Sequence, residues 1–217
     1  MIRAVVPMKA LREAKQRLAT ACPPDLRRAL AVAMLRDVLG TLSAAPGLDG
    51  IVVASADPDI AAIAAEYGAR SEDHGRAGLT ATVTAAGGRL AAAGIAAMLV
   101  IPGDVPAATP DEIAAILEAH RAGHDFVIVP AHDGRGTNGI LVAPPDAVPF
   151  AYGEDSFPAH LAAARRSGLS PLVLPLPGLG LDCDHPGDLV RLATLPGADA
   201  TRRLLAAHGP LAPTTAA

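Results

Sequence analysis

An aspartate that could bind a metal ion stands at residue 104, after the apolar run 97–101 and the pair Pro102-Gly103. A carboxylate at the end of a buried strand can coordinate Mg²⁺, a hard cation that prefers oxygen ligands. The alternative is a turn residue that caps the following helix. That helix already has Thr109 as its cap, with Glu112 three residues later to complete a capping box. We therefore predict that Asp104 is free to bind a metal ion.

Asp182 and Asp184 form a second acidic motif, within Leu-Asp-Cys-Asp-His-Pro. Residues two apart on a strand point to the same side, so a strand running into this motif would direct both carboxylates to one ion. Two carboxylates held close together repel each other unless a cation or a proton lies between them. Cys183 would then point the other way, into the core. Asp184 could also cap the helix that begins near Pro186, and it could serve both purposes.

Four cations, Lys9, Arg12, Lys15 and Arg17, follow the first predicted strand. A triphosphate requires such a cluster, because its charge must be offset when water is displaced. The alternative is the solvated basic start of a helix. A position just after the first strand of an α/β sheet favours phosphate binding. The segment lacks the glycines of a phosphate loop of the Gly-x-x-x-x-Gly-Lys type.

Two further segments carry groups that can bind an anion. In the glycine-rich run 133–139, glycines let the backbone approach an anion closely, and Thr137 and Asn138 offer side-chain hydrogen bonds. A plain hairpin is the alternative, because Asn138-Gly139 is typical of hairpin turns. Ser156 is predicted to be an N-cap, and a helix N-terminus attracts phosphate or carboxylate. A simple cap would explain Ser156 as well.

Strand-like and helix-like segments alternate along the chain and must position these residues. The alternation predicts an α/β fold, with a single-domain, doubly wound, mostly parallel sheet and helices on both faces. Ligands of such sheets bind beyond the carboxyl ends of the strands, where the candidate residues stand. The predicted domain covers residues 1–210, with a disordered tail over 211–217. Strands are predicted over 2–6, 50–54, 97–101, 126–129, 140–142, 172–176 and 179–181, and helices over 26–42, 57–67, 109–123, 156–167, 186–194 and 198–208.

Composition excludes several classes of protein. The net charge of −4 makes nucleic acid an unexpected partner, since phosphate-binding surfaces of that kind carry a basic excess. The two cysteines form neither a disulfide framework nor a zinc-binding spacing. The apolar start is too short for a signal peptide, and no apolar run reaches the roughly 18 residues of a membrane span. We expect a cytoplasmic protein without membrane contact, and the apolar composition is compatible with a homodimer.

Together, these motifs resemble the guanylyltransferase family known as CofC or FbiD, which acts in biosynthesis of the deazaflavin coenzyme F(420). The resemblance extends from Val6 to Asp188 in the family's order. Its most specific parts are Asp-Gly-Arg-Gly-Thr-Asn-Gly and the later Gly-x-x-Ser-Phe. The other parts are Val-Pro-x-Lys-x-Leu-x-x-Ala-Lys-x-Arg-Leu, Gly-Asp-x-Pro and Leu-Asp-x-Asp-x-Pro. Gly-Asp-x-Pro is shared by many nucleotidyltransferases. The resemblance implies a nucleotide-diphospho-sugar transferase-like (Rossmann-like) fold.

The resemblance also implies a reaction, in which GMP passes from GTP to a small phosphorylated three-carbon acid and pyrophosphate leaves. The family's acceptors are 2-phospho-L-lactate, phosphoenolpyruvate and 3-phospho-D-glycerate. No general base is expected, because the second pKa of a phosphate is about 6. By this resemblance the catalytic residues are Lys9, Lys15 and Asp104, and Mg²⁺ is bound by Asp104, Asp182 and Asp184. The resemblance also implies that the nucleotide is bound by Pro7, Lys9, Lys15, Gly78, Thr80, Pro102 and Gly103. The acceptor would be bound by Thr137, Gly153 and Ser156.

Three positions depart from the family pattern. Thr80, in a polar loop over residues 74–80 that could contact a nucleobase, stands where Asn is frequent. Gln16 stands where Ser or Thr is frequent, and neither this change nor Thr80 removes a charge that the chemistry needs. His185 stands next to the metal pair where Thr is common, and it is expected to alter only the helix cap. Two alternatives stay open. A nucleotidyltransferase of the molybdopterin or sugar-nucleotide type usually opens with Gly-x-Gly-x-Arg, which is absent here. A non-catalytic nucleotide-binding module would not need the acidic positions and both lysines.

Overall fold

The computed structural model describes residues 1–75 and 78–209 and has the predicted α/β architecture. A seven-stranded sheet has the strand order β3-β2-β1-β4-β6-β5-β7. Four strand pairs, β1–β2, β1–β4, β2–β3 and β5–β7, are parallel, and β6 runs antiparallel to both of its neighbours. The mostly parallel sheet is therefore confirmed. The strands are β1 (Ile2–Pro7), β2 (Ile51–Ala54), β3 (Arg70–Glu72), β4 (Ala97–Val100), β5 (Phe126–Pro130), β6 (Thr137–Val142) and β7 (Leu172–Val173).

Helices cover both faces of this sheet. Alternate residues of β1 show this directly, because Ala4 and Val6 pack into one apolar cluster and Val5 packs into another. The first cluster is covered by α1, α2 and α4, and the second by α3 and α5. Strands covered on both sides are apolar throughout. The helices are α1 (Pro24–Ala44), α2 (Pro58–Glu66), α3 (Leu79–Ala92), α4 (Pro110–Arg121), α5 (Ser156–Arg166), α6 (Pro186–Leu192) and α7 (Asp199–His208).

Two predicted helix starts are confirmed by their capping contacts. The Asp57 side chain accepts a hydrogen bond from the Asp59 N–H, and Pro58 is the first residue of α2. At α4, Thr109 accepts from the Glu112 N–H while the Glu112 carboxylate accepts from the Thr109 N–H. Asp104 therefore has no capping role at α4.

The predicted strand over residues 179–181 is wrong. The Gly178 and Leu179 N–H groups donate to the Glu112 carboxylate at 2.7 and 3.1 Å, so they are not available to a neighbouring strand. The strand predicted over 172–176 shortens to β7. The short strand β3 was not predicted, because its sequence Arg-Ser-Glu is polar and it lies at the sheet edge.

The glycine-rich run joins the antiparallel neighbours β5 and β6, so the hairpin alternative is confirmed. The turn lies before Asn138-Gly139, because residues 137–139 belong to β6. The predicted tail over 211–217 and residues 76 and 77 of the predicted polar loop lie outside the described residues. In the described part of the chain, no helix combines the length and the apolar character needed to span a membrane.

Candidate active site

A cleft of about 1310 Å³ lies at the carboxyl ends of β1, β2 and β4. Because β6 is antiparallel to β4, it contributes its first residues to the same edge of the sheet. The cleft brings together every residue of the predicted site except Thr80. Its lining includes Pro7, Lys9, Lys15, Gly78, Pro102, Gly103, Asp104, Thr137, Gly153, Ser156, Asp182 and Asp184.

Lys15 joins two of the three predicted metal-binding aspartates. Its Nζ atom lies 2.9 Å from Asp104 Oδ2 and 3.1 Å from Asp184 Oδ1. The Lys15 backbone is left-handed, with φ 53°, which a residue with a side chain rarely adopts. Burial would lower the pKa of Lys15, but the two aspartates outweigh it and raise that pKa. The ammonium is therefore charged, and its side chain is only 6% exposed.

Asp184 is held by two cations. Its second oxygen, Oδ2, accepts a hydrogen bond from Arg17 Nη1 at 2.7 Å. Burial would raise the pKa of Asp184, but Lys15 and Arg17 outweigh it and lower that pKa. The carboxylate is therefore ionised at neutral pH. Of the four predicted cations, Lys15 and Arg17 contact the acidic motif, exposed Lys9 lines the cleft, and exposed Arg12 pairs with Glu13.

Asp182 has a different environment. Its Oδ1 atom accepts from Asn138 Nδ2 at 3.1 Å, and the same amide donates to the Gly180 carbonyl at 3.0 Å. Burial raises the pKa of Asp182, and repulsion from Asp104 and Asp184 raises it further. The three carboxylates thus interact electrostatically across one end of the cleft.

The strand geometry that predicted this pairing is wrong, because residues 181–184 are not in a strand. The segment is instead fixed by contacts with other parts of the chain. The Cys183 N–H donates to the Asp104 carbonyl at 3.0 Å, and Asp188 accepts from the Asp184 and His185 N–H groups. Cys183 is buried as predicted, and burial raises the pKa of its thiol to about 12.

One apolar cluster anchors both charged segments. Leu18, which follows Lys15 and Arg17, is fully buried in the cluster that also contains Cys183. Leu30 and Met34 of α1 complete the same cluster. Burial of these side chains therefore holds the basic loop after β1 against the acidic segment before α6.

The three aspartates suit a hard cation in their chemistry. Within residues 1–75 and 78–209, no group of three or more His, Cys, Asp or Glu side chains is arranged to hold a metal ion as it stands. Lys15 supplies the counter-charge between Asp104 and Asp184. Repulsion from Asp104 and Asp184 raises the pKa of Asp182, and a bound divalent cation would relieve that repulsion.

Close approach of two loops explains the glycine at position 103. A Cβ atom built there would lie 2.7 Å from Met8 Sδ and 3.6 Å from Val6 Cγ1. The loops after β1 and β4 thus touch at this point, which brings Lys15 within reach of Asp104. Any larger residue would require Met8 to move.

Thr137, Gly153 and Ser156, the residues predicted to bind the acceptor, also line the cleft. Ser156 is the first residue of α5, and Asp155 precedes it in the cap position, so the prediction of Ser156 as the N-cap is wrong by one residue. The Ser156 side chain is not left to solvent, since the residue is 3% exposed. The Phe157 N–H donates to the Arg135 carbonyl at 2.9 Å, which ties the start of α5 to the glycine-rich loop.

Sequence reasoning missed His160. Its Nδ1 atom lies 3.1 Å from Thr137 Oγ1, and its Nε2 atom accepts from the Ala151 N–H at 3.0 Å. The available signal was its spacing, because residues 160, 163 and 164 form the buried face of α5 one turn after Ser156. A histidine on such a face must find polar partners within the protein.

Thr80 does not line the cleft. Its hydroxyl accepts from the Tyr152 N–H at 3.0 Å and donates to the Tyr152 carbonyl at 3.4 Å. This hydroxyl therefore connects α3 to the segment that leads to Gly153. Gly78, directly before α3, does line the cleft.

Comparison with known proteins gives a consistent set of relatives. The model of one family, described as "Guanylyl transferase CofC like", matches residues 2–206. The phosphoenolpyruvate guanylyltransferase of Rubrobacter xylanophilus is 40% identical over 189 residues, which cover 87% of this chain and 92% of that protein. The enzyme of the same name from Conexibacter woesei is 38% identical over 207 residues, with 94% and 92% covered.

Solved structures share the fold. A nucleotide-diphospho-sugar transferase, so described for Desulfovibrio desulfuricans G20, superimposes with a TM-score of 0.68 at 19% identity. The match covers 80% of this chain and 79% of that one. This confirms the predicted fold type.

Proposed function

The chain belongs to the CofC-like guanylyltransferase family, and from this we propose that it transfers GMP from GTP to a small phosphorylated three-carbon acid and releases pyrophosphate. The relatives' names make phosphoenolpyruvate the first acceptor to test, ahead of 2-phospho-L-lactate and 3-phospho-D-glycerate. The reaction would serve the biosynthesis of coenzyme F(420). The observation that carries the proposal is the meeting of Lys15, Asp104 and Asp184 in the cleft that also holds Thr137 and Ser156.

The charges of the cleft suit two anionic reactants. GTP and the phospho-acid repel each other, so cations must offset their charge before an acceptor oxygen can reach the α-phosphorus. Lys15 is charged and buried, Lys9 is exposed at the cleft, and Arg17 lies beside Asp184. These three side chains would bind the phosphates of GTP. The ammonium of Lys15 also offsets charge that develops on the pyrophosphate leaving group.

The residues predicted to bind the acceptor supply hydrogen bonds. Thr137, Gly153 and Ser156 would bind the phospho-acid and orient one of its phosphate oxygens towards the α-phosphorus. The phosphate is largely ionised at neutral pH, since its second pKa is about 6. It can therefore act as the nucleophile without a general base.

A divalent cation, Mg²⁺ in our proposal, would be held by Asp104, Asp182 and Asp184. When bound, it supplies Lewis-acid polarisation and neutralises charge on the transferring phosphate. Asn138 keeps Asp182 oriented towards this end of the cleft through its 3.1 Å hydrogen bond.

Pyrophosphate release tests the function. The purified protein is incubated with Mg²⁺, each of GTP, ATP, CTP and UTP, and one acceptor at a time: each of the three acids, a sugar phosphate or a pterin. Release with GTP and one acid, together with a guanosine diphospho-acid product identified by mass, supports the proposal. Release only with a sugar phosphate or a pterin acceptor would favour the molybdopterin or sugar-nucleotide type. If no combination releases pyrophosphate, the result would favour a non-catalytic nucleotide-binding module.

A further inference from the structure

His160 is a buried polar residue in contact with Thr137, one of the residues predicted to bind the acceptor. It lies on α5 and is 0% exposed. Its ring packs edge-on against Tyr152, with ring centroids 4.8 Å apart and planes at 70°. A polar ring in such a place keeps its hydrogen bonds in fixed directions, because water cannot replace them.

The contacts of the ring determine which nitrogen carries the proton. The Ala151 backbone N–H can only donate, and it points to Nε2 at 3.0 Å. Nε2 must therefore be unprotonated, and a neutral imidazole then carries its proton on Nδ1. The Nδ1–H group donates to Thr137 Oγ1 at 3.1 Å. A doubly protonated ring would place its Nε2–H group against the Ala151 N–H group. Burial lowers the pKa of His160 to about 4, against a hydrogen bond with the Ser156 backbone that raises it.

This arrangement determines the role of the Thr137 hydroxyl. Within the described residues, the hydrogen-bond partner of Thr137 Oγ1 is His160, and there the hydroxyl accepts. Its own proton is then left for an acceptor in the cleft, which Thr137 lines. Carboxylate and phosphate oxygens are such acceptors, whereas a donor group is not.

We infer that His160 is a positioning residue that fixes the Thr137 hydroxyl as a hydrogen-bond donor to the phospho-acid. The inference rests on the proposed function. The same ring also joins the three acceptor-binding elements. It lies one turn after Ser156 on α5, bonds Thr137 on β6, and holds Ala151, two residues before Gly153. Its loss should therefore weaken binding of the acid and leave binding of GTP intact.

Two substitutions separate the two hydrogen bonds of the ring. His160→Gln can keep an acceptor near the Nε2 position for Ala151 and loses the donor to Thr137. His160→Asn can keep a donor near the Nδ1 position and loses the acceptor for Ala151. We expect His160→Gln to raise the KM for the phospho-acid about tenfold, with the KM for GTP changed less than about twofold. His160→Asn should raise the acceptor KM less than His160→Gln does.

A double substitution distinguishes positioning from a general structural role. If His160 acts through the Thr137 hydroxyl, Thr137→Val with His160→Gln should raise the acceptor KM no more than Thr137→Val alone. A merely structural histidine would give multiplied effects on both KM values and on kcat. His120→Gln is the matched control, since His120 is half-buried on α4 and does not line the cleft. Multiplied effects, or equal changes in the two KM values, would overturn the inference.

Nitrogen NMR of ¹⁵N-histidine-labelled protein tests the tautomer without any substrate. His160 should show a protonated Nδ1 and an unprotonated Nε2 at pH 7, and His160→Gln identifies its signals by their loss. A protonated Nε2 would overturn the inference whatever the enzyme does. If the tautomer is as expected but no NTP and acid give pyrophosphate, the proposed function fails. The inferred acceptor role then fails with it, and the hydrogen-bond geometry stands.

Discussion

Lys15 and Asp104 lie 89 positions apart in the sequence, and their Nζ and Oδ2 atoms are 2.9 Å apart. The pair joins the loops that follow β1 and β4, two neighbouring parallel strands. The Asp104 carbonyl also accepts from the Cys183 N–H, so the segment before α6 meets the two loops at the same residue. Asp104 is therefore the point at which three distant parts of the chain form one charged site.

Asp104→Asn should abolish turnover in a folded protein. The change keeps the shape of the side chain and removes the charge that pairs with Lys15 and that would bind the metal. We expect kcat to fall by at least about 100-fold, the usual scale for loss of one electrostatic contact to a transition state. Pyrophosphate release measures kcat, and circular dichroism checks the fold. Asp111→Asn, on the exposed first turn of α4, is the matched control. Near-normal turnover in Asp104→Asn would rule out the metal assignment.

Lys15→Met should make the protein dependent on Mg²⁺ for stability. Without the ammonium, Asp104 and Asp184 lose their shared partner, and an unpaired charge in a largely buried pair costs about 3 kcal/mol. We expect a lower Tm in EDTA than the wild type has, and a larger rise in Tm on adding Mg²⁺ than the wild type shows. Thermal melts with EDTA and with Mg²⁺ measure both.

Lys9→Met is the control for that experiment. Lys9 is exposed and forms no ion pair with the other residues that the structure describes, so the Tm of this variant should be close to that of the wild type in both conditions. An equal response of Lys15→Met and the wild type to Mg²⁺ would show that Lys15 and the cation do not share the same carboxylates.

Sequence patterns predicted the residues of the site better than they predicted its geometry. Asp104 was identified by a local argument, because the capping box of Thr109 and Glu112 left it without a cap role. Asp182 and Asp184 both line the cleft, but the strand that was expected to pair them is absent. The Cys183 N–H between them donates to the distant Asp104 carbonyl, and no local periodicity records such a contact.

Other features lay beyond sequence reasoning for similar reasons. The edge strand β3 is polar and three residues long, so it lacks the apolar alternation that marks a strand. The role of His160 depends on Ala151 and on Thr137, 23 positions away on another element. Central strands and capped helices were predictable because their signals are local, whereas these contacts form only when the chain is folded.

Two adjacent glycines of α3 should respond in opposite ways to alanine. Gly88 is exposed, and a Cβ atom there meets nothing within 4 Å. Gly88→Ala should therefore raise the free energy of unfolding by about 0.5–1 kcal/mol through helix propensity. At Gly87 a Cβ atom would lie 2.7 Å from the Pro145 carbonyl oxygen, so Gly87→Ala should lower that free energy by about 1–3 kcal/mol. Urea denaturation measures both variants, and a stabilised Gly87→Ala would contradict the packing of α3 against residue 145.

The buried neutral ring of His160 should make stability depend on pH. Burial lowers the pKa of His160 to about 4 in the folded protein, against about 6.5 in the unfolded chain. The unfolded state therefore binds the extra proton first, and the stabilising contribution is present above pH 6.5 and is lost as the pH falls towards 4. Between pH 7 and pH 5 the wild type should lose about 2 kcal/mol more free energy of unfolding than His160→Gln does. Urea denaturation at both pH values, without substrates, gives the difference. The same loss in both proteins would show that folding does not lower the pKa of His160.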